Sequence, residues 1–224
     1  EIADRFHDHP SLDLCVIGIT GTNGKTSCSH FLAQALDSRH QPSGVIGTLG
    51  YGRPGSLVDT GHTTPDAVRV HDLLAGMRDE GIQRVVMEVS SHGLQQGRVG
   101  GVRFDLALWT NLTRDHLDYH GDMAAYAAAK RRLFEVSTLM HAVVNADDEH
   151  GHALLNDLAG PQDVVRYGFS EAASQARPGQ LFVRGCDLEL TPDGLAFEVE
   201  SSWGAGRVES ALLGRFNAAN LLGT

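Results

Sequence analysis

A glycine-rich segment near the start of the chain carries the residues best suited to bind phosphate. It runs from Gly18 to Thr26. Glycines let backbone N–H groups turn toward a phosphate, a lysine supplies a mobile positive charge, and a threonine hydroxyl can ligate Mg²⁺. The alternative is a glycine-rich turn in which Gly-Lys-Thr occurs by chance. A strand predicted before the segment and a helix predicted after it favour a nucleotide-binding phosphate loop built from Gly21, Thr22, Asn23, Gly24, Lys25 and Thr26.

The glycine spacing of this phosphate loop differs from the common one. The generic pattern would place its first glycine at Ile19, whereas this chain has glycines at Gly18 and Gly21. The sequence also has no Asn-Lys-x-Asp segment of the kind that reads guanine. Both departures argue against a switch GTPase.

A glutamate stands near the end of a short apolar run, residues 84–89. If this run is a buried parallel strand, Glu88 lies near its carboxyl end, where open α/β sheets bind their ligands. A carboxylate there suits Mg²⁺. The alternative is a solvated glutamate at the strand end, but charged side chains are rarely buried without a partner.

Residues 113–121, with the sequence Thr-Arg-Asp-His-Leu-Asp-Tyr-His-Gly, are dense in ligand-type side chains. Their spacing matches no common zinc pattern. By residue type alone the segment could equally be a polar loop with capping aspartates, because a strand is predicted before it and a helix after it.

A lysine lies on the apolar face of a helix predicted over residues 122–135. The positions of that face recur at spacings of four, three and four, at Met123, Ala127, Lys130 and Phe134. The two arginines that follow Lys130 are free to point outward. Burying an unpaired ammonium is costly, and a buried lysine tends to lose its proton. The alternative is a lysine that extends its ammonium to the surface.

Hydrophobic patterning places these residues in an α/β domain. Strands are predicted over 14–20, 84–89, 104–110 and 142–145, and helices over 27–36, 67–80 and 122–135. This alternation predicts a P-loop-type, mainly parallel sheet flanked by helices. After about residue 163, the alternating segments 181–190 and 195–201 flank a Thr-Pro-Asp-Gly turn. They predict an additional small antiparallel β ribbon packed beside the main sheet.

Composition and charge narrow the class of protein. The 224 residues, 42% hydrophobic and 21% charged, are enough for one large globular α/β domain. A net charge of -10 opposes nonspecific attraction to nucleic acid or to an anionic membrane. Three widely spaced cysteines indicate neither disulfides nor a thiolate zinc site. With no apolar run near the roughly 20 residues that span a bilayer and no signal peptide, we expect a cytoplasmic protein without nucleic-acid or membrane partners.

Four segments together resemble the Mur ligase family: residues 20–26, 87–99, 110–121 and 126–134. Residues 88–99 and 115–123 are similar to the subfamily that adds the third residue of the peptidoglycan stem peptide. The resemblance implies that residues 1–224 are a central ATP-binding domain. It also implies an N-terminal UDP-binding domain and a C-terminal amino-acid-binding domain that these residues do not include.

The resemblance implies an ATP-dependent amide ligase with Mg²⁺ as its cofactor, acting as a monomer. A carboxylate of UDP-N-acetylmuramoyl-L-alanyl-D-glutamate would attack the γ-phosphate of ATP. The amine of an amino acid, meso-diaminopimelate or L-lysine, would then convert the acyl phosphate to an amide.

Roles for single residues also follow from the resemblance. Lys25 and Thr26 would hold the ATP phosphates and Mg²⁺. Catalytic and metal-organising roles would fall to Glu88, His116 and Lys130, the last as a carbamate, N6-carboxylysine. The adenine side would be bound by Asn217 and Asn220. The muramoyl-dipeptide would be held by a set that we call the acceptor cluster, consisting of Thr63, Thr64, Ser90, Gln96 and Arg98.

Two other functions are compatible with the phosphate loop. A folylpolyglutamate synthase-like ligase would share the loop and the carbamylated lysine, but not the amino-acid sequences of residues 90–94 and 115–121. A noncatalytic nucleotide-binding domain would lack a second substrate site, and the acceptor cluster argues against it.

Overall fold

A computed structural model describes residues 1–38, 40–59, 61–158 and 163–224. The strands are β1 (Cys15–Thr20), β2 (Ser43–Gly47), β3 (Gly50–Arg53), β4 (Ser56–Val58), β5 (Arg84–Glu88), β6 (Leu106–Trp109), β7 (His141–Asn145), β8 (Asp163–Gly168), β9 (Gln180–Thr191), β10 (Gly194–Ser201) and β11 (Gly204–Ser210). The α-helices are α1 (Ile2–Phe6), α2 (Lys25–Leu36), α3 (Ala67–Asp79), α4 (Ser91–Gln95), α5 (Leu117–His120), α6 (Met123–Arg131), α7 (Glu149–Asp157), α8 (Glu171–Ser174) and α9 (Arg215–Leu222). Pro10–Leu12 and Arg132–Glu135 form 3₁₀ turns.

The strands form one sheet in the order β11-β10-β9-β8-β7-β6-β1-β5-β2-β3-β4. All pairings between β2 and β9 in that order are parallel, which confirms the predicted fold class. β1 lies between β5 and β6, and its residue Ile19 is in register with Glu88. The end of β1 therefore delivers the phosphate loop between the ends of two other parallel strands.

Both faces of the sheet are covered by packed side chains. On one face, residues of β1 and β5 pack with residues of α3, α6 and α7, including Leu74, Tyr126 and Leu154. On the other face, Ile17 and Ile19 pack with Cys28 of α2 and Ala218 of α9. A sheet buried on both faces explains why the central strands read as continuous apolar runs.

The antiparallel ribbon differs from its predicted position. It extends the main sheet edge to edge rather than packing beside it, because the first half of β9 pairs parallel with β8 while the strand also pairs antiparallel with β10. Buried Leu195 and Phe197 of β10 join the same core as Tyr167 of β8. The ribbon is therefore part of one continuous sheet.

Element boundaries also differ in places from the predictions. The helix predicted over 122–135 changes to a 3₁₀ turn at Arg132, which brings both Leu133 and Phe134 into the core. Among the described residues, no helix has both the length and the apolar character needed to cross a membrane.

Candidate functional site

The phosphate loop joins the end of β1 to the start of α2. Gly24 precedes the helix with φ +87°, a conformation that favours glycine, and a Cβ there would collide with Asn220. The Lys25 ammonium donates to the carbonyls of Gly21 and Thr22, each over 2.9 Å. The first N–H groups of α2 have no intrahelical acceptor, as at any helix N terminus, so this end can accept an anion.

Two N–H groups of the loop are already used. The Thr22 N–H donates to the Asn111 carbonyl over 2.8 Å, and the Asn23 N–H donates to Asn111 Oδ1 over 3.0 Å. The Thr110 hydroxyl donates to the Asn23 carbonyl over 2.6 Å. The chain that follows β6 thus fixes the shape of the loop, and Thr22 and Asn23 act here as anchored loop residues.

Glu88 is completely buried, so it is not a solvated strand-end glutamate. Its Oε2 accepts from the hydroxyls of Thr26, over 3.0 Å, and Thr48, over 3.1 Å. Its Oε1 accepts from the Thr48 N–H over 2.9 Å. The Glu88 carboxylate is therefore held beside the phosphate-loop threonine, as a shared Mg²⁺ site requires.

Lys130 is 1% exposed, so the surface-extended alternative is wrong. Its Nζ donates to the Gly21 carbonyl over 2.7 Å, the same carbonyl that Lys25 contacts. The Tyr126 ring lies 4.7 Å from Nζ, measured to the ring centroid. Burial, reinforced by the charge of Lys25, lowers the pKa of Lys130 to about 6. The unmodified side chain is therefore largely a neutral amine at pH 7.

The acceptor cluster is assembled by a chain of hydrogen bonds. The Thr64 hydroxyl donates to the Glu88 carbonyl over 2.9 Å and accepts from the Ser90 N–H over 2.9 Å. Arg98 donates through Nη1 to the Thr64 carbonyl and through Nε to Gln96 Oε1, each over 2.8 Å. The structure thus brings these four residues together.

Thr63 is joined to the same site by a different route. Its hydroxyl lies 2.9 Å from the Thr48 hydroxyl, which itself contacts Glu88. All five residues of the acceptor cluster are therefore connected, directly or through one or two neighbours, to the buried glutamate or its backbone.

Aromatic rings and imidazoles form a layer between the acceptor cluster and Lys130. His92 packs on Tyr119 with 4.1 Å between ring centroids, and on His116 with 5.0 Å. His120 packs on Tyr126 with 5.0 Å between centroids and lies 2.9 Å from the Ser91 hydroxyl through Nε2. Burial lowers the pKa of both His92 and His120, and the neighbouring cationic groups add to the shift. Both shifts favour the neutral form of the imidazole.

His116 lies at the exposed edge of this layer. It adopts φ +52°, and its Nε2 lies 3.6 Å from Asp115 Oδ2. Its ring centroid is 6.1 Å from that of Tyr126. Within the described part of the chain its contacts do not include Glu88, so a role for His116 at the metal stays a prediction.

A cavity of about 460 Å³ lies on the other side of the phosphate loop. Of the two predicted adenine-side asparagines, Asn220 lines this cavity and Asn217 does not; Asn217 donates instead to the Leu213 carbonyl over 2.9 Å. Sequence reasoning missed several residues of the cavity wall: Ser27, Asn111, Asn145, Tyr167 and Phe216. Phe216 is 70% exposed and offers a ring face on which a planar base can stack.

The donor set beside the phosphate loop fits magnesium better than a transition metal. Across the described ranges, no group of three or more His, Cys, Asp or Glu side chains is arranged to hold a metal ion. Mg²⁺ needs less from the protein, since it commonly uses one or two carboxylates together with phosphates and water. The Thr26 hydroxyl and the Glu88 carboxylate offer hard oxygen ligands, to which a carbamate on Lys130 would add further oxygens.

The sequence pattern of the Mur ligase middle domain matches residues 19–224. The chain belongs to the Mur ligase family. It is 47% identical over 222 residues to UDP-N-acetylmuramoyl-L-alanyl-D-glutamate--2,6-diaminopimelate ligase of Coxiella burnetii, covering 99% of this chain and 45% of that protein. It is 51% identical over 214 residues to the protein of the same name from Chromobacterium violaceum, covering 95% of this chain and 42% of that protein. The Mur ligase chain thus spans less than half the length of these curated relatives.

Solved structures agree with the family assignment. A structure of a protein with the same name superimposes with a TM-score of 0.84 at 36% identity, covering 99% of this chain and 46% of that one. Folylpolyglutamate synthase of Mycobacterium tuberculosis, complexed with ADP and AMPPCP, gives a TM-score of 0.73 at 17% identity, covering 99% and 55%. At that identity the second likeness shows only that Mur ligases and this synthase share a fold.

One residue of this Mur ligase site escaped sequence reasoning although a signal for it existed. Thr48 follows Gly47 at the end of β2, and residues 43–47 are all buried. A short apolar run that ends in a polar residue is the pattern that identified Glu88, but two glycines within five residues obscure it here.

Proposed function

We propose that this chain is the ATP-binding middle domain of an ATP-dependent amide ligase that acts on UDP-N-acetylmuramoyl-L-alanyl-D-glutamate. One observation carries the proposal: Glu88 is hydrogen-bonded both to the phosphate loop and to the acceptor cluster. Its carboxylate accepts from the phosphate-loop residue Thr26, and its backbone carbonyl accepts from Thr64 of the acceptor cluster. A nucleotide and a second substrate bound at these two places would meet at Glu88.

Charge neutralisation is the main chemical task of such a site. The carboxylate nucleophile and the γ-phosphate are both anionic, so their approach needs local positive charge. Mg²⁺ held by Thr26, Glu88 and a carbamate on Lys130 would supply part of that charge. The Lys25 ammonium, which now contacts two loop carbonyls, would turn to the phosphates. Arg98 would orient the acceptor substrate, because a guanidinium can grip a carboxylate with two hydrogen bonds.

The third stem-peptide residue is proposed to be diaminopimelate rather than lysine. Support comes from the names of the relatives from Coxiella burnetii and Chromobacterium violaceum, which are diaminopimelate ligases. Domains that bind the UDP end and the incoming amino acid would lie in other parts of the ligase. We also propose that the ligase acts as a cytoplasmic monomer.

Thermal stabilisation of the full-length gene product tests the function. A ligand at one hundred times its Kd stabilises the folded state by about 2.7 kcal/mol, which raises the Tm by several degrees. We expect this shift with MgATP and with the UDP-muramoyl-dipeptide, and no shift with a folate.

Two variants separate the halves of the site in this assay. Lys25→Ala should remove the shift caused by MgATP, and Arg98→Ala should remove the shift caused by the dipeptide, each without abolishing the other. Phosphate release from ATP should require both the dipeptide and diaminopimelate. Stabilisation by a folate, with none by the dipeptide, would favour the folylpolyglutamate synthase alternative.

A further inference from the structure

The acceptor cluster borders a side chain to which its motifs gave no role. Tyr119 lies on α5, and its ring packs on the His92 imidazole of α4 with 4.1 Å between centroids. The residue nevertheless remains 41% exposed. Helix α5 therefore places a partly exposed phenol beside α4.

The hydrogen bonds of Gln96 determine the orientation of its amide group and leave the Tyr119 hydroxyl hydrogen free to donate. Arg98 Nε donates to Gln96 Oε1, and a guanidinium has no acceptor, so the amide oxygen must face Arg98. The amide nitrogen then donates to Tyr119 Oη over 3.2 Å. Because the tyrosine oxygen is the acceptor in this bond, its own hydrogen is left to donate to another group. In the described portion of the chain nothing accepts that hydrogen.

Arg98 has spare donors on the same side of Gln96. Its Nη1 is occupied by the Thr64 carbonyl and its Nε by Gln96, whereas its Nη2 has no hydrogen-bond partner among the residues that the structure describes. Gln96 therefore contacts both residues that carry a spare donor. The two spare donors are Arg98 Nη2 and Tyr119 Oη. A guanidinium beside a phenol is suited to an anionic oxygen pair such as a carboxylate.

We propose that Tyr119 is a specificity-determining residue, whose hydroxyl donates, beside Arg98, to the carboxylate of the acceptor substrate that is not activated. This inference rests on the proposed function. The glutamate at the end of the dipeptide has two free carboxylates, and the one that reacts must lie at the phosphate side near Lys25 and Glu88. Arg98 and Tyr119 are both hydrogen-bonded to Gln96 just after α4, and their hydrogen bonds include neither Lys25 nor the Glu88 carboxylate, so this pair is placed to bind the other.

Steady-state kinetics of the full-length gene product test the role of Tyr119. Tyr119→Phe keeps the ring on His92 and removes only the hydroxyl. Because the lost hydrogen bond is to a charged group, the KM for the dipeptide should rise about tenfold or more. The KM for ATP and the kcat should be unchanged. Tyr51→Phe is the matched control, since Tyr51 lies on β3 and its hydroxyl accepts from Arg69 of α3 over 3.3 Å, and this variant should leave all three constants unchanged.

A substrate analogue tests which group the hydroxyl contacts. Replacing the unreactive carboxylate by a carboxamide should weaken binding to the wild-type protein. The same replacement should weaken binding to Tyr119→Phe much less, because coupled groups are not additive in a double-substitution cycle. Equal losses in both proteins would overturn the inference, as would an equal rise in the KM values for ATP and dipeptide.

Failure of the inference can be told from failure of the proposed function. Dipeptide kinetics of Tyr119→Phe that match wild type, together with impaired Arg98→Ala, would overturn the role of Tyr119 alone. A wild-type protein that neither binds nor consumes the dipeptide would overturn both.

Discussion

Two lysines meet at one carbonyl in this site, and they are the only lysines in the sequence. Lys25 and Lys130 both donate to Gly21 O, so protonation of both would place two ammonium groups in one buried space. Burial also lowers the pKa of Lys25, although Glu88 and Asp115 oppose that shift. Conversion of Lys130 to an anionic carbamate would remove the repulsion and turn it into attraction. The geometry therefore supports the modification that the resemblance to Mur ligases implies.

A carbamate on Lys130 would be directly observable by NMR. Carbamate formation needs a neutral amine, and with a pKa of about 6 Lys130 is neutral above that pH, whereas an ordinary lysine is protonated. In ¹³C-bicarbonate the protein should give a carbamate NMR signal at pH 7.5 that disappears on acidification below about 6. The signal should be absent from Lys130→Ala and retained in Lys25→Ala. A signal that survives Lys130→Ala would contradict the assignment.

Loss of the carbamate should also be visible in catalysis. In the full-length ligase, Lys130→Ala should lower kcat by about 100-fold or more, because metal-based charge stabilisation contributes several kcal/mol. Short-chain carboxylates added to the assay should restore part of the activity. Near-normal turnover of Lys130→Ala would show that the position needs no negative charge.

At the scale of elements, the end of β2 is shaped to leave room for the Glu88 side chain. A Cβ at Gly47 would collide with the Glu88 carboxylate. Gly47→Ala should therefore displace a carboxylate that three hydrogen bonds hold in place. We expect the affinity for MgATP, measured by isothermal titration, to fall about tenfold or more. Overpacking should also lower the free energy of unfolding by about 1–3 kcal/mol.

Gly76→Ala is the control for this substitution. Gly76 lies within α3, and a Cβ there would meet nothing within 4 Å. Alanine favours helix over glycine, so this variant should gain about 0.5–1 kcal/mol in urea unfolding and bind MgATP normally. If Gly47→Ala behaves in the same way, the space beside Glu88 is not needed.

The elements that the sequence predicts well are those with a strong local pattern. Residues 14–20 and 84–89 are continuous apolar runs. The four-three-four spacing correctly predicted that Lys130 is buried, although Met123 and Ala127 are only partly buried and the other fully buried residues of α6 are Tyr126 and Ala129. Glycine-rich β2 and β3 have no such pattern, so Thr48 was missed. The attachment of the ribbon to β8 depends on a pairing between distant segments, which local periodicity does not encode.

The same distinction applies within the site. The phosphate loop could be predicted because its function needs a contiguous run of residues. The contact between Asn220 and the loop could not, because α9 reaches α2 only after the whole sheet has been traversed. The sequence also does not distinguish the two asparagines of this segment. Asn220 lines the cavity and Asn217 does not.

At the scale of the molecule, the cavity beside the phosphate loop is lined by residues that are far apart in the sequence. Asn23 and Gly24 form one wall, and Phe216, Ala219 and Asn220 form another. In hydrogen–deuterium exchange, MgATP should therefore slow exchange at residues 21–26 and at 215–222 together. The turn between β9 and β10, residues 191–194, should exchange at an unchanged rate and serves as the internal control. Protection of the phosphate loop alone would show that the base binds outside this cavity.

The position of α9 also has a consequence for biosynthesis. The ribosome releases the phosphate loop early, but Asn220 only after all the strands have been made. A partly synthesised chain that has not reached α9 therefore lacks the wall against which the base would rest. Nucleotide would stabilise the finished domain and leave its incomplete precursors unaffected, because a ligand stabilises only the state that binds it. Cellular ATP would in this way act late in folding, favouring chains whose translation has passed α9.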